Sequence, residues 1–283
     1  MTKIALLGAG GKMGVRLATN LVGSPYEVMH VEITEAGRKR LKDAIGADCV
    51  DQAAALRDAD VVLMAVPDAL IGKIAKTFIA EVKPGCAIIM LDAAAPHAGE
   101  MPERKDVTYF VTHPCHPSIF RYEPTREAQK DYFGGVKAQQ AIVCALMQGP
   151  DAHYALCEDI AKTIYKPVNR AHRVTVADMA LLEPALSETI GATLVTALRE
   201  ATDAVIAKGV PRDAAMDFML GHLGIEMGLL FEDHPGQFSD GAILAIKKAK
   251  PRLFRDDWLN VLEPDEVMQS VKDICNPPPR SNS

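Results

Sequence analysis

The chain has 283 residues, 48% of them hydrophobic and 24% charged, which is typical of a globular protein long enough for two domains. The formal net charge of −6 argues against a nucleic-acid partner, and no apolar run is long enough to span a membrane. The six scattered cysteines form no Cys-x-x-Cys pair, which excludes a zinc ribbon and leads us to expect a reduced, cytoplasmic protein.

The first part of the sequence alternates short apolar runs with helical patterns. Apolar strands between helices are typical of a parallel sheet that is covered on both faces. The sequence therefore predicts an α/β Rossmann-type domain with a parallel sheet over residues 1–171. The predicted strands cover residues 4–7, 27–32, 60–66, 86–91, 107–112 and 141–146.

Helical patterns replace the strands near Arg170 and continue to about Asp273. We therefore predict an all-α domain over residues 172–283, and we expect its polar, proline-rich end to fray. One long helical pattern runs from Val174 to Lys208 and is apolar almost all round. Such a helix is buried in its own domain or against a second subunit, which favours a homodimer through this domain.

A glycine-rich turn, Gly8-Ala-Gly-Gly-Lys-Met-Gly14, follows the first predicted strand and opens the first helix. Such a turn lets the backbone approach a pyrophosphate, and the helix N-terminus offers N–H groups to it. The spacing fits G-x-x-G-x-x-G, whereas G-x-G-x-x-G would place Met13 at the last position. The alternative is a tight turn that binds nothing. The candidate cofactor-binding residues here are Gly8, Gly10, Gly11, Lys12, Met13 and Gly14.

Two acidic residues follow the next strands at the same edge of the predicted sheet. Glu32 ends the second strand, where a carboxylate accepts hydrogen bonds from a ribose diol and repels a 2′-phosphate, so NAD is favoured over NADP. Asp68 follows the third strand and is either a cofactor-binding residue or the N-cap of the next helix. The basic run Arg38-Lys-Arg40 is predicted to cover a solvated helix face.

Two histidines, His113 and His116, follow the fifth predicted strand, at the edge where open α/β sheets bind ligands. Pro114 and Pro117 restrict the backbone and are expected to keep both histidines extended. The sequence thus predicts a stiff loop that holds two imidazoles towards the cofactor. The alternative is a pair of hydrogen-bonded structural histidines.

A second polar group, Leu182-Glu-Pro-Ala-Leu-Ser-Glu188, lies early in the long helical pattern. In an α-helix Glu183 and Ser187 share a face, whereas Glu188 points elsewhere. Pro184 removes a backbone hydrogen bond and is expected to bend the helix. A carboxylate in this apolar segment needs a partner, which is a metal or a histidine across the cleft, or else a cap or an ion pair.

These motifs resemble, in order and over the whole chain, those of the D-apionate oxidoisomerases, which belong with the 6-phosphogluconate-dehydrogenase-like Rossmann proteins. The resemblance rests on the glycine turn, Val31-Glu32, Thr112-His-Pro-Cys-His-Pro-Ser118 and Leu182–Glu188. The β-hydroxyacid dehydrogenases of the wider superfamily carry Lys-x-x-Asn on the long helix, where this chain has Glu183 and Ser187. The resemblance implies an NAD-dependent enzyme that oxidises D-apionate, a small branched sugar acid, at C2. A shift of a hydroxymethyl group then gives 3-oxo-isoapionate, in apiose breakdown.

The same resemblance implies a divalent cation, zinc or magnesium, that is held by His113 and Glu183 and bridges the two reacting oxygens. His116 or Glu188 is then the expected base, and Ser187 is a further candidate catalytic residue. One alternative is a plain NAD-dependent hydroxyacid dehydrogenase of the 6-phosphogluconate or 3-hydroxyisobutyrate type, without metal or rearrangement. Another is a nucleotide sensor, which would not need the histidine loop.

Overall fold

A computed structural model describes residues 1–277, so most of the end that is predicted to fray, from residue 278 onward, lies outside the described residues. The described part divides into two compact units. The sheet unit comprises Met1–Leu182 together with the residues from Met268 onward, and the helical unit comprises Glu183–Val267. In the described part of the chain, no helix is both long and apolar enough to cross a membrane.

The sheet unit is built on a sheet of seven strands within the described residues, in the order β2-β1-β3-β4-β5-β6-β7. Strands β1 to β5 pair in parallel, as predicted. The residues of β3 and β4 are all buried, because helices cover both faces of a parallel sheet. The strands are β1 (Lys3–Leu7), β2 (Glu27–Val31), β3 (Val61–Met64), β4 (Ala87–Met90), β5 (Thr108–Pro114), β6 (Gln140–Gln148) and β7 (Val168–Arg173).

The far side of the sheet differs from the prediction of an all-parallel arrangement. β6 runs antiparallel to β5, because the segment that joins them contains only a four-residue helix and so lacks the long crossover helix that a parallel pair needs. β7 pairs in parallel with β6 and was not predicted. Its sequence, VNRAHR, is polar and mostly exposed, so it lacks the apolar signal of a buried strand.

Helices in the sheet unit pack on both faces of the sheet and enclose an apolar core. Leu17 of the first helix and Ile160 of the seventh are fully buried in one cluster with Phe110 of β5. The helices are α1 (Lys12–Leu21), α2 (Glu35–Ile45), α3 (Gln52–Asp58), α4 (Ile71–Phe78), α5 (Ala94–His97), α6 (Arg126–Gln129), α7 (Ala152–Ile164), α8 (Val176–Ala180) and α12 (Pro264–Cys275).

The division between the units falls later than the predicted boundary between residues 171 and 172. A capping box between Thr175 and Asp178 starts α8, whose residues Met179 and Ala180 are fully buried. Since α8 packs against β6 and α5, it belongs to the sheet unit. Most of α12 also belongs to that unit.

The long predicted helix is observed as α8, a π-helical segment (Leu181–Ala192) and α9 (Thr193–Ala207). Pro184 has no N–H to donate to the carbonyl four residues earlier, and its ring would clash with that carbonyl in an α-helix. Widening to a π-helix relieves this clash, so the proline changes the helix type. The helical unit continues with α10 (Arg212–Leu230) and α11 (Asp240–Leu253).

Candidate active site

The glycine turn lies at the carboxyl end of β1, where close backbone contacts exclude side chains. Gly8 has a φ of +74°, and a Cβ there would lie 2.3 Å from a backbone oxygen just after β3. A Cβ on Gly14 would lie 2.0 Å from the oxygen of Gly8, and one on Gly10 would lie 2.3 Å from the backbone of α2. Gly11 is less constrained, with its nearest contact at 3.2 Å. The fold therefore requires glycine most strictly at positions 8, 10 and 14, a combination of the two predicted spacings.

The first turn of α1 presents backbone donors beside this turn. Gly11 is the N-cap, and the first intrahelical hydrogen bond is donated by the N–H of Val15 to the oxygen of Gly11, at 2.9 Å. The N–H groups of Lys12, Met13 and Gly14 therefore precede the intrahelical series. They could hold a pyrophosphate, so Lys12 and Met13 would contribute their backbone at this point.

Glu32 is buried against the glycine turn. Its Oε2 accepts a hydrogen bond from the N–H of Gly10 at 3.1 Å, and its Oε1 accepts from the N–H and the hydroxyl of Thr34, both at 2.8 Å. Desolvation acts to raise the pKa of Glu32, but these hydrogen bonds outweigh it and hold the pKa below its usual range. The ionised carboxylate lies where a ribose diol is expected, and it also fixes the turn, a role that the sequence did not predict.

The basic run on α2 is exposed, as predicted, but its two arginines also hydrogen bond to the backbone at the glycine turn. The Nε of Arg40 donates to the carbonyl oxygen of Gly10 at 2.9 Å, and the Nε of Arg38 donates to the backbone oxygen of Glu32 at 2.8 Å. Lys39 differs from the arginines in its partner, since it forms an exposed ion pair with a residue one turn away. Two guanidinium groups are therefore held at the glycine turn.

Asp68 is not an N-cap, which removes one of its two predicted roles. It is the first residue of a short 3-10 helix, Asp68–Leu70, and neither this helix nor α4 has a side-chain cap. Desolvation and the neighbouring Asp92 carboxylate raise the pKa of Asp68 to about 6, against an opposing effect of His113. The sequence analysis missed Asp92, although its position directly after the fourth predicted strand could have identified it.

His113 lies inside β5, which extends two residues beyond its predicted end. The extension arises because His113 and Pro114 still pair with Val143 and Ile142 of β6. The Nδ1 of His113 lies 2.8 Å from the oxygen of Pro114, and a carbonyl can only accept, so Nδ1 carries the proton and Nε2 is the basic nitrogen. This is the tautomer that coordinates a metal through Nε2.

His116 is not extended, contrary to the prediction, since its φ is +60°. Its Nδ1 donates to the carbonyl oxygen of Phe133 at 2.9 Å, and its ring packs edge-on against the rings of Phe133 and His113. These contacts hold the left-handed conformation. Burial lowers the pKa of His116, so the imidazole is neutral near pH 7 with Nε2 as its basic nitrogen.

The loop that carries Phe133 is docked on the first turns of α1. The Oδ2 of Asp131 accepts from the successive backbone N–H groups of residues 136–138, at 3.2, 2.8 and 3.1 Å. The ammonium of Lys12 and the guanidinium of Arg16 lie 5.2 and 5.7 Å from the centroid of the Phe133 ring. The loop thereby places His116 beside the helix that follows the glycine turn.

In the helical unit, the π-helical segment carries the three predicted polar residues. Glu183 is half-buried and its Oε2 is shielded from solvent, whereas Ser187 and Glu188 are exposed. Hydrogen bonds in a π-helix span five residues, so residues five apart lie about one turn apart. Glu188 therefore lies near the face of Glu183, which corrects the α-helical prediction. The hydroxyl of Thr189 likewise reaches the oxygen of Pro184, at 2.7 Å.

The candidate ligands are single residues and do not form a complete metal cage. Across residues 1–277, no group of three or more His, Cys, Asp or Glu side chains is arranged to hold a metal ion. The basic Nε2 of His113 and the shielded carboxylate of Glu183 each have the donor chemistry that a divalent cation takes. Each residue, taken by itself, therefore offers a donor atom that fits a divalent cation.

A glycine turn, a buried carboxylate after β2 and an all-helical C-terminal region define a dinucleotide-binding oxidoreductase of the Rossmann type. The matching families agree with this class. Residues 3–94 match the family described as NADP oxidoreductase coenzyme F420-dependent, and residues 121–275 match Phosphogluconate dehydrogenase (decarboxylating) C-term.

Within this class, the chain belongs to the D-apionate oxidoisomerase family and is an enzyme. It is 55% identical over 272 residues to the D-apionate oxidoisomerase of Cupriavidus necator, which covers 96% of this chain and 99% of the relative. It is 54% identical to that of Rhizobium rhizogenes, over 97% of this chain and all of the relative.

Solved structures support the same fold. A semialdehyde dehydrogenase NAD-binding protein from Cupriavidus necator, in complex with calcium and NAD, has a TM-score of 0.95 at 54% identity and covers 97% of this chain and 99% of its own. An NADH-preferring ketol-acid reductoisomerase from an uncultured archaeon has a TM-score of 0.67 at 17% identity, covering 97% of this chain and 82% of its own. The second likeness concerns the fold alone.

Proposed function

We propose that the protein is an NAD-dependent oxidoisomerase that converts D-apionate to 3-oxo-isoapionate with the help of a divalent cation. The observation that carries the proposal is the pair of histidines, His113 and His116, whose tautomers leave basic Nε2 nitrogens at the carboxyl edge of the sheet. The family relationship supports the substrate, since relatives of nearly equal length are named for it.

NAD is the proposed cofactor because Glu32 is ionised and buried at the ribose end of the site. A carboxylate there accepts from the 2′-hydroxyl and repels a 2′-phosphate. The related protein from Cupriavidus necator was crystallised with NAD. Gly8, Gly10, Gly14 and the first N–H groups of α1 would hold the pyrophosphate.

The proposed reaction needs an oxidation and a carbon shift. Oxidation removes a hydride from C2 and the proton of its hydroxyl; the hydroxymethyl group then migrates from C3 to C2 as the C3 hydroxyl loses its proton. The C3 alcohol becomes the ketone, and the C2 carbonyl becomes a tertiary alcohol that takes up a proton. When bound, nicotinamide supplies the hydride acceptor and the cation polarises the two reacting oxygens.

His116 is our preferred base, because its neutral imidazole can accept a proton at Nε2 while Nδ1 stays committed to Phe133. Glu188 is the second proposed base and Ser187 a further proposed catalytic residue. Asparagine tolerates a positive φ, so His116→Asn keeps the loop while removing the base. We expect turnover to fall by roughly 10²–10⁴-fold with NAD affinity unchanged. If the His116→Asn variant kept full turnover and the Glu188→Gln variant were inactive, Glu188 would be the base instead.

His113, through Nε2, and Glu183, through its carboxylate, are the proposed cation ligands. The related structure contains calcium, which takes oxygen ligands, and this suits Glu183 and the substrate oxygens better than an imidazole. Zinc and magnesium, expected from the sequence, remain proposals beside calcium.

Carbon-13 NMR of the product made from D-apionate and NAD tests this function. The untreated protein should give the rearranged skeleton, and exhaustive chelation should abolish rearrangement while NAD binding persists, because the glycine turn needs no cation. His113→Ala and Glu183→Gln should behave like the chelated protein, whereas Glu200→Gln, an exposed carboxylate on α9, should not. Full activity after verified metal removal, or an unrearranged product, would leave the plain hydroxyacid dehydrogenase as the better reading.

We also propose that the protein is a homodimer through the helical unit. A groove of about 330 Å³ between α9 and α10 is lined almost entirely by apolar atoms. Large apolar side chains are exposed on this unit to an extent that is unusual for a monomer. They include Val195 (66%), Phe218 (69%), Leu230 (64%), Phe231 (66%) and Leu253 (77%). Light scattering should give twice the chain mass, and a monomer at micromolar concentration would contradict the proposal.

A further inference from the structure

The ribose end of the glycine turn carries more positive charge than an NAD site needs. Arg38 and Arg40 are both anchored there through Nε, at 2.8 Å from the backbone oxygen of Glu32 and 2.9 Å from that of Gly10. Their Nη groups take no part in these two hydrogen bonds. An anchored guanidinium presents its remaining donors in a fixed fork, the geometry that suits a phosphate.

Glu32 is linked to both arginines through the backbone of the turn. Its carboxylate accepts from the N–H of Gly10, and the carbonyl oxygen of the same residue accepts from the Nε of Arg40. The charge balance here is therefore one carboxylate against two guanidinium groups. Removing the carboxylate would leave the N–H of Gly10 without this acceptor and both anchored guanidinium groups still at the turn.

We infer that Arg38 and Arg40 form a latent subsite for a phosphate monoester, the 2′-phosphate of an adenosine ribose, which Glu32 alone closes. The inference rests on the proposed use of NAD, because it assumes that the adenosine ribose lies at Glu32. It adds that the Glu32 carboxylate alone rejects the 2′-phosphate, although two guanidinium groups lie nearby that could bind it. A site without these guanidinium groups would reject the phosphate even after the carboxylate was removed.

Two small nucleotides isolate the 2′-phosphate: AMP, and adenosine 2′,5′-bisphosphate, which differs from AMP by that group alone. Calorimetry gives the affinity ratio of bisphosphate to AMP for the full chain and its variants, all at one salt concentration. We expect Glu32→Ala to raise the ratio by roughly 10-fold or more, the effect of one charge-assisted hydrogen bond. Adding Arg40→Ala or Arg38→Ala to Glu32→Ala should lower the ratio again and cancel most of the increase.

Lys39→Ala, added to Glu32→Ala, is the matched control, because Lys39 lies between the two arginines in sequence and is paired on the exposed face. It should leave the ratio unchanged. Glu32→Gln repeats the test with the side-chain volume kept, in case the smaller residue disturbs the packing against Gly37.

The inference is overturned if neither Glu32 variant raises the ratio. It is also overturned if the arginine variants weaken AMP and the bisphosphate equally, since the arginines would then only support the turn, or if Lys39→Ala has the same effect as they do. NAD binding by the unaltered protein, measured in the same series, distinguishes failure of the proposed function from failure of the inferred phosphate subsite. Absence of NAD binding there would contradict the proposed function, whereas the bisphosphate ratios decide the subsite.

Discussion

The contact between Gly14 and Gly8 makes a sharp prediction about cofactor binding. Alanine at position 14 would place its methyl group 2.0 Å from the oxygen of Gly8, about 1.4 Å short of ordinary contact at 3.4 Å. Overpacking of this kind costs roughly 1–3 kcal/mol, of which the better helix propensity of alanine offsets about 1 kcal/mol. The fold should therefore survive, but the first N–H groups of α1 must move by more than about 1 Å. We therefore expect NAD affinity to fall by roughly 10-fold or more, the effect of losing one charge-assisted hydrogen bond from these N–H groups to the pyrophosphate.

Calorimetric titration with NAD and thermal unfolding would be measured together on Gly14→Ala and on its matched control, Gly11→Ala. Position 11 has 3.2 Å to the same oxygen, so a shift of a few tenths of an ångström accommodates the methyl group. We expect affinity within a few-fold of the unaltered protein for Gly11→Ala. Equal affinities for Gly14→Ala and the unaltered protein, or equal damage at both positions, would refute the steric argument.

Two further predictions concern groups that the sequence did not identify. Gly37→Ala would place a methyl group 2.5 Å from the carboxyl carbon of Glu32, so NAD affinity in calorimetry should fall although Gly37 itself makes no predicted cofactor contact. Desolvation acts to raise the pKa of Asp131, but three backbone donors outweigh it and hold the pKa below its usual range. Its stabilisation is therefore present above pH about 4 and is lost as the pH falls through the lowered folded-state pKa. Asp131→Asn should remove this part of the pH dependence of thermal unfolding, and an unchanged difference between pH 6 and pH 3 would contradict the assignment.

The parts of the fold that could be predicted from sequence depend on local patterns. The glycine turn and Glu32 follow directly from a strand, a turn and a helix close together in the chain, and their positions were predicted correctly. The direction of β6 was not, because it depends on how the segment from Cys115 to Gln139 returns to the sheet. The edge strand β7 was missed because strand prediction relied on apolar side chains, whereas β7 is paired through its backbone.

The site shows the same limit at the level of single side chains. The two prolines predicted that both histidines are extended, but the φ of His116 is positive and depends on a contact with Phe133, 17 residues away. The anchoring of Arg40 likewise depends on a carbonyl 30 residues earlier. Sequence spacing identified which chemical groups are present, and long-range contacts decided their direction.

The π-helical segment also sets an angle. A widened helix turns less per residue than an α-helix, so the twelve residues of Leu181–Ala192 determine the rotational phase at which α9 begins. The directions of the exposed apolar side chains Val195 and Val205 on α9 therefore depend on the π-helical segment that precedes this helix. Inserting or deleting one residue in the segment would rotate α9 relative to Glu183 by somewhat less than the roughly 100° per residue of an α-helix, without changing any side chain on α9. The helix type of this segment thus sets the angle between the Glu183 carboxylate and the exposed apolar side chains of α9.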